Sequence, residues 1–598
     1  MDVIVGIDLG TTNSEIAYIK DDQPYVIPDE TGDPILPSVV GLSEDGRLLV
    51  GYAARNQLLL APERSVKSIK RRMGEDTTVS LGEQAYTPQE ISAMILRTLR
   101  ERAERHLGTT VGKAVITVPA YFNDAQRQAT REAGELAGLE VVRIINEPTA
   151  ASLTYDTDQW DLKRLLVYDL GGGTFDVSIV QVQEGIVEVL SSHGDTQLGG
   201  DDFDALLAEH IMQHFENEQQ FDLREMPAAR ARVLQAAEEA KKQLSVAPFA
   251  DIQEEYIAEH DGTPLHLTME IARHEFDDLV RPLLDKTITC VGRALDDAKL
   301  NPSQLDRVLL VGGSTRSPIV TEMLEERLGQ PAHQEVDPDL CVALGAGVQA
   351  AIINGQDIGP VLVDITPHSL GIRCLGTVGG LFTDSMFSRI ITRNSPLPIS
   401  RSEGYQTVVD SQETVEIEVY QGEHDDARMN TLVGEFMVEG LAPVPAGNEV
   451  LVHMNLTLDG ILQVTATEKQ TGLQRQVRIE NALTRFQHEA RDEAQRRLDV
   501  LFGDDDDRAL DTEFRSMEAS EPGRSEVSSD TAMHRTLVQA QALIEKAERV
   551  LLNIGDEDKA EVESLTTQLR DAVNTRNRSD IEALSAELSD VLFYMEET

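Results

Sequence analysis

The sequence predicts a multidomain protein with a two-lobed α/β domain, a following β-sandwich and a C-terminal α-helical bundle. Two strand–glycine turn–strand patterns lie far apart in the first half of the chain, residues 365–480 alternate between apolar and polar side chains, and the residues after 480 follow helical spacing. A chain of 598 residues exceeds what one hydrophobic core supports. We therefore expect a two-lobed domain over 1–357, a linker over 358–364, a β-sandwich over 365–480 and a helical segment over 481–598.

The two strand–turn–strand patterns predict the two lobes. In the first, an apolar run leads into Asp8-Leu-Gly10 and a polar turn, and a second strand begins at Glu15. In the second, Asp169 and Asp176 enclose three consecutive glycines, which leave backbone amides open to an anion. Carboxylates at both ends would repel a bare phosphate, so a divalent cation between them is expected. One such turn alone is more often an ordinary hairpin, but the repetition indicates two lobes that face one nucleotide.

No Walker motif, GxxxxGK[ST], occurs in the chain, so a phosphate site of another architecture is expected. Around the two hairpins, helical spacing predicts helices over 88–107 and 228–245. The second lobe is expected to run from residue 165 to 357, with a helix that starts near Pro318. A helix over 337–351, rich in glycine and alanine, should pack closely against its neighbours.

The linker is apolar at Val361-Leu-Val363 and is flanked by prolines. Because connecting segments usually run over the surface, an apolar one indicates either a segment that docks in one state and is released in another, or a strand of the following domain. In that domain, Val415, Ile417 and Val419 alternate with glutamates, which is the pattern of a half-buried strand. Glycine-rich turns separate further strands, and the whole pattern is typical of a β-sandwich.

The C-terminal segment changes to a helical pattern. Residues 503–530 are acidic and serine-rich, which predicts a loop. Beyond them, apolar residues three and four apart predict helices over about 537–551, 562–573 and 581–591, the last opened by a capping box at Ser579-Asp-Ile-Glu582. Helices this short are expected to form a small bundle.

Composition narrows the class of partner and the compartment. The net charge is −51, which argues against nucleic-acid or anionic-membrane binding, because both need basic patches. The chain has no run of eighteen apolar residues and no basic, apolar leader, so a cytoplasmic protein is expected. Its three cysteines, Cys290, Cys341 and Cys374, are widely spaced and predict no disulfide.

Five motifs point to a known family. They are Gly6–Ser14 (GIDLGTTNS), Ile116–Asp124 (ITVPAYFND), Ile145–Ala151 (INEPTAA), Asp169–Asp176 (DLGGGTFD) and Val311–Arg316 (VGGSTR). In this order they resemble the 70-kilodalton heat-shock chaperones of the DnaK type, whereas actins and sugar kinases share the hairpins and the last motif only loosely. The segment between Gly74 and Tyr86 is shorter than in DnaK, a feature of the HscC-like branch.

The resemblance implies an actin-like two-lobed ATPase domain, a β-sandwich that binds extended hydrophobic segments of unfolded proteins, and an α-helical lid that closes when ATP is hydrolysed. It implies ATP or ADP as the nucleotide, Mg²⁺ held by Asp8 and Asp169, and K⁺ as an optional further ion. The residues expected to carry hydrolysis are Lys70, Glu147, Thr174 and Asp176. The residues expected to bind the nucleotide are Gly10, Thr11, Thr12, Asn13, Gly171, Gly172, Gly173, Gly199, Gly200, Glu238, Lys241, Ser245, Gly312, Gly313, Ser314, Arg316 and Asp339.

The same resemblance implies a peptide cleft and a relay between domains. The residues expected around the peptide are Ile372, Leu375, Tyr405, Val408, Gln412, Val415 and Ile417. From alternation alone, Val415 and Ile417 would belong to an ordinary sandwich core. The residues expected to couple the domains are Pro119, Arg127, Arg143, Asn146 and Asp364. A J-domain co-chaperone is an expected partner, and a nucleotide exchange factor is a further one.

The chain departs from this family at several positions. Pro360 heads the linker in place of an aliphatic residue, Cys374 stands in the cleft, and an insertion without a family motif falls within 379–394. Two acidic residues of a sandwich strand are replaced by Asn455 and Thr457. The alternatives are an ATP-binding holdase or exchange-factor relative with little hydrolysis, a metabolite kinase, and a polymerising actin-like protein. The second half of the chain argues against the last two.

Overall fold

The computed structural model describes residues 3–154, 162–333, 336–356, 358–458, 460–478, 488–502, 565–570 and 584. The chain divides into two compact units, residues 1–512 and 513–598. In the second unit, the described residues 565–570 are helical, with Leu565 and Leu569 buried. The predicted loop over 503–530 and most of the predicted C-terminal bundle lie outside the described residues.

The first lobe is built on a mixed β-sheet. Its elements are β1 (Ile4–Leu9), β2 (Asn13–Lys20), β3 (Gln23–Val26), β4 (Leu36–Pro37), β5 (Val39–Leu42), β6 (Leu48–Val50), α1 (Tyr52–Leu60), β7 (Ser65–Lys67), β8 (Val79–Leu81), β9 (Gln84–Tyr86), α2 (Pro88–Leu107), β10 (Lys113–Val118), α3 (Asp124–Leu136), β11 (Glu140–Asn146) and α4 (Glu147–Ser152). The strand order is β11-β10-β1-β2-β3. β1 and β2 form the predicted antiparallel hairpin, and β1 runs parallel to β10.

Helix α2 begins and ends where its residues dictate. The Thr87 hydroxyl accepts a hydrogen bond from the Glu90 amide at 3.3 Å, and the Glu90 carboxylate accepts one from the Thr87 amide at 2.9 Å. This reciprocal pair is a capping box. Pro88 occupies the first turn, where its missing N–H costs nothing, and Gly108 ends the helix with a left-handed φ of 65°. The predicted range of 88–107 is therefore confirmed.

The second lobe repeats this arrangement. Its elements are β12 (Lys163–Leu170), β13 (Phe175–Gln183), β14 (Ile186–Asp195), α5 (Gly200–Gln219), α6 (Pro227–Val246), β15 (Phe249–His260), β16 (Thr263–Ala272), α7 (Arg273–Ala298), β17 (Arg307–Val311), α8 (Pro318–Leu328) and α9 (Cys341–Ile353). β12 and β13 form the second antiparallel hairpin, and β12 runs parallel to β17. The predicted helix near Pro318 is α8, and the predicted helix over 228–245 is α6, longer by one residue at each end.

Helix α9 corrects the expected extent of the second lobe. The sequence assigned residues up to 357 to that lobe, but α9 packs across β1, β2 and β10 of the first lobe and against α4. Its small residues are required there: a Cβ atom on Gly345 would lie 1.8 Å from the Ala150 carbonyl oxygen, and one on Gly6 would lie 2.2 Å from the Ala346 carbonyl carbon. The close packing expected of this helix is present, but it joins the chain back to the first lobe.

The linker is a strand of the second lobe. β18 (Val361–Val363) pairs in parallel with β14, with Ile186 opposite Val361 and Glu188 opposite Val363. This pairing extends the sheet to the order β17-β12-β13-β14-β18. The alternative of a strand belonging to the following domain is therefore wrong in this structure, and the apolar segment is docked.

The next domain is the predicted β-sandwich. Its elements are β19 (Ile365–Thr366), β20 (Leu370–Val378), β21 (Leu381–Ile391), β22 (Ser395–Pro396), β23 (Ile399–Gln406), β24 (Thr414–Gln421), β25 (Thr431–Glu439), β26 (Glu449–Leu456), β27 (Leu462–Glu468) and β28 (Gln474–Arg478). Two four-stranded sheets, β21-β20-β24-β25 and β23-β26-β27-β28, enclose one apolar core. Ile417 and Val419 are buried and Glu416 is exposed, as the alternation predicts.

Helix α10 (His488–Leu501) packs against α2 and α3 of the first lobe. The Arg497 guanidinium donates to the buried Glu90 carboxylate, at 3.0 Å through Nε, and the Arg97 guanidinium donates to Asp499 at 2.8 Å. The first helix after the sandwich therefore belongs to the compact unit that contains the two lobes.

The described residues can be compared with two expectations from composition, those on disulfides and on membrane-spanning helices. Cys290, Cys341 and Cys374 are free thiols, as predicted. Cys341 is buried at the start of α9, and the other two are half-buried. Among the helices that the structure describes, none combines the length and apolar character needed to cross a membrane.

Replacing Gly345 by alanine should destabilise the protein, because the added Cβ would meet a backbone carbonyl oxygen at 1.8 Å, an atom that cannot rotate away. Overpacking of this kind costs about 1–3 kcal/mol, so we expect the thermal midpoint of the two-lobed domain to fall by several degrees in a calorimetric scan. Gly112→Ala is the control, since its Cβ would meet no atom within 4 Å. An unchanged midpoint for Gly345→Ala would contradict the packing of α9 on α4.

Candidate functional site

A cavity of about 760 Å³ lies between the two lobes. Both Asp-Leu-Gly hairpins open into it. The predicted residues that line it are Asp8, Gly10, Thr11, Thr12, Asn13, Lys70, Glu147, Asp169, Gly171, Gly172, Thr174, Glu238, Lys241, Gly312, Gly313, Ser314, Arg316 and Asp339. The structure thus brings the motifs of the two lobes together around one space, large enough for a nucleotide.

Lys70 and Glu147 form a buried ion pair at this cavity. Burial alone would lower the pKa of Lys70, but the carboxylates of Glu147 and Asp8 outweigh it and raise that pKa, so the lysine stays charged. Burial raises the pKa of Glu147 to about 7, although the charge of Lys70 opposes the shift. A carboxyl group with this pKa can exchange a proton near neutral pH.

Asp8 and Asp169 present carboxylate oxygens that fit a hard divalent cation. Asp8 Oδ1 accepts a hydrogen bond from the Thr117 hydroxyl at 2.7 Å. Asp169 Oδ2 is buried and has no hydrogen-bond partner, which is costly for a charged oxygen unless a ligand supplies one. Burial raises the pKa of both carboxyl groups. Oxygen donors of this kind, with open positions, suit Mg²⁺, which keeps several waters and binds few carboxylates.

Asp176 is held by backbone amides of the chain that follows β10. Its carboxylate accepts hydrogen bonds from Ala120 N at 3.1 Å and from Tyr121 N at 3.0 Å. Burial and the nearby Glu147 charge raise its pKa, although the two amides oppose the shift. Pro119 directly precedes these amides. The expected catalytic carboxylate is therefore tied to a segment of the first lobe, although it lies on a strand of the second.

The glycines of the second hairpin allow the lobes to approach each other. A Cβ on Gly172 would lie 1.8 Å from the Thr12 hydroxyl, and one on Gly199 would lie 2.5 Å from the Gly172 carbonyl carbon. Gly173 and Gly200 are similarly crowded, by Thr11 and by Ser314. Side chains at Gly172 and Gly173 would separate the turns of the two lobes, whereas Gly199 and Gly200 allow close packing within the second lobe.

Arg71 and Ser68, which the sequence reasoning missed, join the lobes beside the cavity. Arg71 Nε donates to the Gly173 carbonyl at 3.0 Å, and its guanidinium pairs with Asp202. The Ser68 hydroxyl donates to Asp201 at 2.5 Å. The signal was the acidic pair directly after Gly199-Gly200 together with the basic run around Lys70, but no local pattern shows that the two meet.

The sequence reasoning also missed an ion pair that joins the two lobes at the cavity wall. Arg55 of α1 lies 3.5 Å from the Glu238 carboxylate and 3.6 Å from that of Glu239. Burial would raise the pKa of Glu238, but the charges of Lys242 and Arg55 outweigh it and lower that pKa to about 2. Glu238 is therefore ionised, and its pairing with Arg55 bridges the two lobes.

The remaining residues expected at the adenosine differ in their placement. Lys241 pairs with Asp204 at 2.8 Å, and Arg316 pairs with Asp339 at 2.7 Å, both at the cavity wall. Ser245 does not line the cavity, and its hydroxyl donates within α6 to the Lys242 carbonyl at 2.6 Å.

Three of the expected relay residues, Arg127, Asn146 and Asp364, form one hydrogen-bonded chain. Arg127 Nη2 donates to the Asn146 side-chain oxygen at 2.6 Å and to the Ala120 carbonyl at 3.0 Å. The Asn146 amide donates to both oxygens of Asp364 at 2.9 Å. Arg143 lies on β11 opposite Val115. The structure thus links the segment that holds Asp176 to the residue at which the linker ends.

The β-sandwich also contacts this segment directly, through residues that the sequence reasoning missed. The His368 ring lies 4.4 Å from the Tyr121 ring, and its Nε2 donates to the Tyr121 carbonyl at 3.1 Å. Arg393 donates to Asp297 of α7 at 2.8 Å. Asp297 also bonds the His193 ring at 2.9 Å. A single histidine or aspartate carries no sequence signal for such a role.

The residues expected around a peptide fall into two groups. Ile372 and Ile417 are buried in the sandwich core, and Val415 is half-buried beside them. The Tyr405 hydroxyl donates to the Ser388 hydroxyl at 2.9 Å. Gln412 Oε1 accepts from the Val408 amide at 3.2 Å, while the Leu375 and Val408 side chains are exposed. Residues 379–394, within which an insertion is expected, include the turn of the β20–β21 hairpin and all of β21.

Comparisons with known proteins agree with this geometry. A family model described as Hsp70 protein matches residues 4–80 and 75–597. The Chaperone protein DnaK of Thermotoga neapolitana is 42% identical over 594 residues, which cover 97% of this chain and 93% of that protein. The Chaperone protein DnaK of Thermotoga petrophila and that of Thermotoga maritima are each 47% identical over 479 residues, which cover 78% of this chain and 79% of those proteins.

Arg55→Ala should speed the release of a bound nucleotide, because the Arg55–Glu238 contact bridges the lobes over the cavity. Partly exposed ion pairs are worth about 0.2–1 kcal/mol, so we expect a roughly two- to fivefold faster release, measured by stopped flow with a fluorescent ATP analogue. Arg105→Ala is the matched control, since Arg105 pairs with Glu30 inside the first lobe. Equal release rates for both variants and the wild type would contradict the bridging role.

Acidification should undock the β-sandwich from the first lobe. Burial lowers the pKa of His368 to about 4 from an ordinary value of 6.5, so the docked state favours the neutral ring. The stabilisation is complete above pH 6.5 and is lost as the pH falls through 6.5 toward 4, with a limit of roughly 3 kcal/mol. Energy transfer between dyes on the first lobe and the sandwich, followed from pH 7.5 to 4.5 with ATP, measures this loss.

Two variants identify the titrating group. His368→Leu removes it and should flatten the pH dependence of energy transfer. His193 also stacks on Tyr121, and burial lowers its pKa, while Arg127 and Arg393 supply nearby positive charge. If His193→Asn flattens the profile and His368→Leu does not, the assignment to His368 is wrong.

Proposed function

Because this chain belongs to the Hsp70 family and is an ATP-dependent chaperone with ATPase activity, we propose that its buried lysine–carboxylate cluster hydrolyses ATP and that the docked β-sandwich reports the nucleotide state to a peptide cleft. The observation that carries this proposal is the Lys70–Glu147 pair at the inter-lobe cavity, next to Asp8 and Asp169. Phosphoryl transfer to water needs a positioned water and neutralised phosphate charge. In this cluster, carboxyl groups can position the water and Lys70 can neutralise phosphate charge.

In the proposed site, Thr11, Thr12 and Asn13 bind phosphate oxygens together with the open amides of the glycine turn. Asp8 and Asp169 would hold Mg²⁺, which would neutralise phosphate charge. The orphaned Oδ2 of Asp169 supports this assignment. K⁺ is a second candidate ion, because the buried carboxyl groups of the cluster outnumber the buried lysine.

Hydrolysis itself would depend on four side chains beside the γ-phosphate. Lys70 holds Glu147 in place and adds positive charge where negative charge develops. Glu147, with a pKa of about 7, and Asp176 orient the attacking water and take up its proton as the bond to the γ-phosphorus forms. The Thr174 hydroxyl donates to the γ-phosphate. ADP and inorganic phosphate are then the products.

The coupling to the sandwich follows from the contacts of Asp176. When the γ-phosphate leaves, the charge near the Asp176 carboxylate changes, and this carboxylate also holds the Ala120 and Tyr121 amides. The same segment binds His368 of the sandwich, and Arg127 connects it to Asp364 through Asn146. ATP biases docking only by its different affinity for the docked and undocked arrangements.

Partners are proposed on the same basis. Unfolded proteins and co-chaperones are the partners of this family. The exposed edge of β18, with Arg143, Asn146 and Asp364 nearby, is proposed for a J-domain protein. The Arg55–Glu238 bridge is a suitable target for an exchange factor, which would open it. The three free thiols support a reducing, cytoplasmic compartment.

Single-turnover ATP hydrolysis tests the proposal, with wild type compared with Lys70→Ala in the presence and absence of an extended hydrophobic peptide. We expect peptide to accelerate the wild type and Lys70→Ala to slow the chemical step by at least about a hundredfold. Lys286→Ala, on the exposed side of α7, is the control and should behave as the wild type.

Two outcomes would contradict parts of the proposal. Brisk hydrolysis that is indifferent to peptide would mean that the contacts around Tyr121 and Asp364 do not couple the domains. ATP binding without hydrolysis by the wild type would mean that the chain acts as a holdase.

A further inference from the structure

The outer part of the β20–β21 hairpin has no partner strand in the described sandwich. β20 pairs with β24 only from Leu370 to Ile372. Beyond that point β20 pairs with β21 alone, up to Val378 opposite Leu381, across a Gly379-Gly380 turn with φ values of 59° and 85°. Two glycines in this conformation close a tight two-residue hairpin. The backbone edge of residues 373–378 that faces away from β21 is therefore open to another strand.

One face of this hairpin is mostly apolar, with Thr383 as a polar residue opposite Gly376, and continues from the predicted peptide cleft. Residues directly opposite each other in a β-ladder share a face, and alternate residues along one strand share a face. The register Ile372–Ser388, Cys374–Met386, Gly376–Thr383 and Val378–Leu381 therefore defines one side. We call Cys374, Val378, Leu381 and Met386 the hairpin strip. It starts at Ile372 and at Ser388, which binds the Tyr405 hydroxyl.

The strip is continuous because Gly376 leaves space for Met386. A Cβ on Gly376 would lie 2.3 Å from the Met386 sulfur, so the methionine covers this position between Cys374 and Val378. The strip carries no charged residue. The opposite face of the hairpin carries Phe382, opposite Thr377, and Arg373, which pairs with Glu418 at 2.9 Å. The strip is thus uncharged, whereas the opposite face carries a charged residue beside Phe382.

The tip of the hairpin exposes two apolar side chains on opposite faces. Leu381 is 76% exposed and Phe382 is 77% exposed. A second copy of the chain is a poor occupant for this surface, because each copy carries a net charge of −51 and the two would repel each other. An extended apolar segment of an unfolded protein suits it, since its backbone can pair with the open edge and its side chains can contact the strip.

We propose that the hairpin strip is a second contact for client polypeptides, which binds an apolar residue of the same extended segment that occupies the cleft. The inference rests on the proposed function. Ile372 and Val378 are six residues apart, which is about 20 Å along a strand. A bound segment in the same extended conformation would bring a second apolar residue, about six positions from the first, against Val378 and Leu381. The protein would prefer clients with two apolar anchors at this spacing.

The test uses three labelled peptides and fluorescence anisotropy with ADP. One has seven residues with a Leu-Val-Leu centre. Two have fourteen residues, with the same centre and a second Leu-Leu pair six positions toward either the N- or the C-terminus. We expect the wild type to bind one of the longer peptides about tenfold more tightly than the short one, since burial of one leucine supplies an effect of this order.

Leu381→Ser and Phe382→Ser form a matched pair of variants, with adjacent positions and equal exposure. Leu381→Ser should abolish the advantage of the longer peptide and leave the affinity for the short one unchanged, whereas Phe382→Ser should keep the advantage. Unchanged affinity for the short peptide also shows that the sandwich is folded.

Several results would overturn the inference. They are equal affinity of the wild type for all three peptides, equal losses in the two variants, and a change in oligomeric state of Leu381→Ser on sedimentation, which would make the strip a self-association surface. If the wild type binds none of the peptides, the proposed cleft itself is wrong and the strip falls with it. Failure of the strip alone leaves binding of the short peptide intact, so the two failures can be told apart.

Discussion

The structure depends on one electrostatic constraint: Lys70 is a buried cation in a cluster of buried carboxyl groups that includes those of Asp8, Glu147, Asp169 and Asp176. Charges out of water are costly unless they are paired and hydrogen-bonded. The Lys70–Glu147 pair neutralises one carboxylate, and the Thr117 hydroxyl and two backbone amides support Asp8 and Asp176. The remaining negative charge lies at a cavity that can admit cations. Cations that enter the cavity would therefore balance the remaining negative charge of the site.

This constraint explains why the site is connected to the rest of the chain. A carboxylate that must be satisfied without water needs partners from more than one element, and Asp176 takes them from the backbone between β10 and α3. Arg127 binds carbonyl groups of the same segment, Ala120 at 3.0 Å and Phe122 at 3.1 Å. The segment is thus held from both sides, and a change at the carboxylate must move or release it. His368 contacts it from the sandwich, so the electrostatics of the cavity and the docking of the next domain share one piece of backbone.

Much of this could be predicted from local sequence. The bounds of α2 follow from Thr87, Pro88 and Gly108, and the two Asp-Leu-Gly hairpins follow from glycine and alternation. The position of α9 could not be predicted, because glycine and alanine show that a helix packs closely without showing which sheet it packs on. The linker was ambiguous because the sequence shows that Val361-Leu-Val363 is an apolar strand without showing which sheet it joins. Only its pairing with β14 assigns it to the second lobe.

The candidate site also divides into residues that local sequence predicts and residues that it does not. Many of the residues proposed to bind or react lie in the five motifs, so Glu147 and the hairpin residues were predicted together, whereas Lys70 was predicted from the family resemblance. The residues that join the lobes and domains, such as Arg71, Arg55 and His368, act through partners more than a hundred positions away. Ser245, which the family resemblance places at the adenosine, does not line the cavity, and its hydroxyl donates to the Lys242 carbonyl.

The acidity of the chain bears on the exposed hairpin. An apolar tip on a neutral protein invites association between copies, whereas a net charge of −51 keeps copies apart beyond contact distance. The same charge does not repel an extended segment that carries no net charge. Strong negative charge therefore allows Leu381 and Phe382 to remain exposed, and it selects among the possible occupants of that face. The exposed hairpin tip and the acidic composition, which the sequence does not relate to each other, are therefore linked by one physical argument.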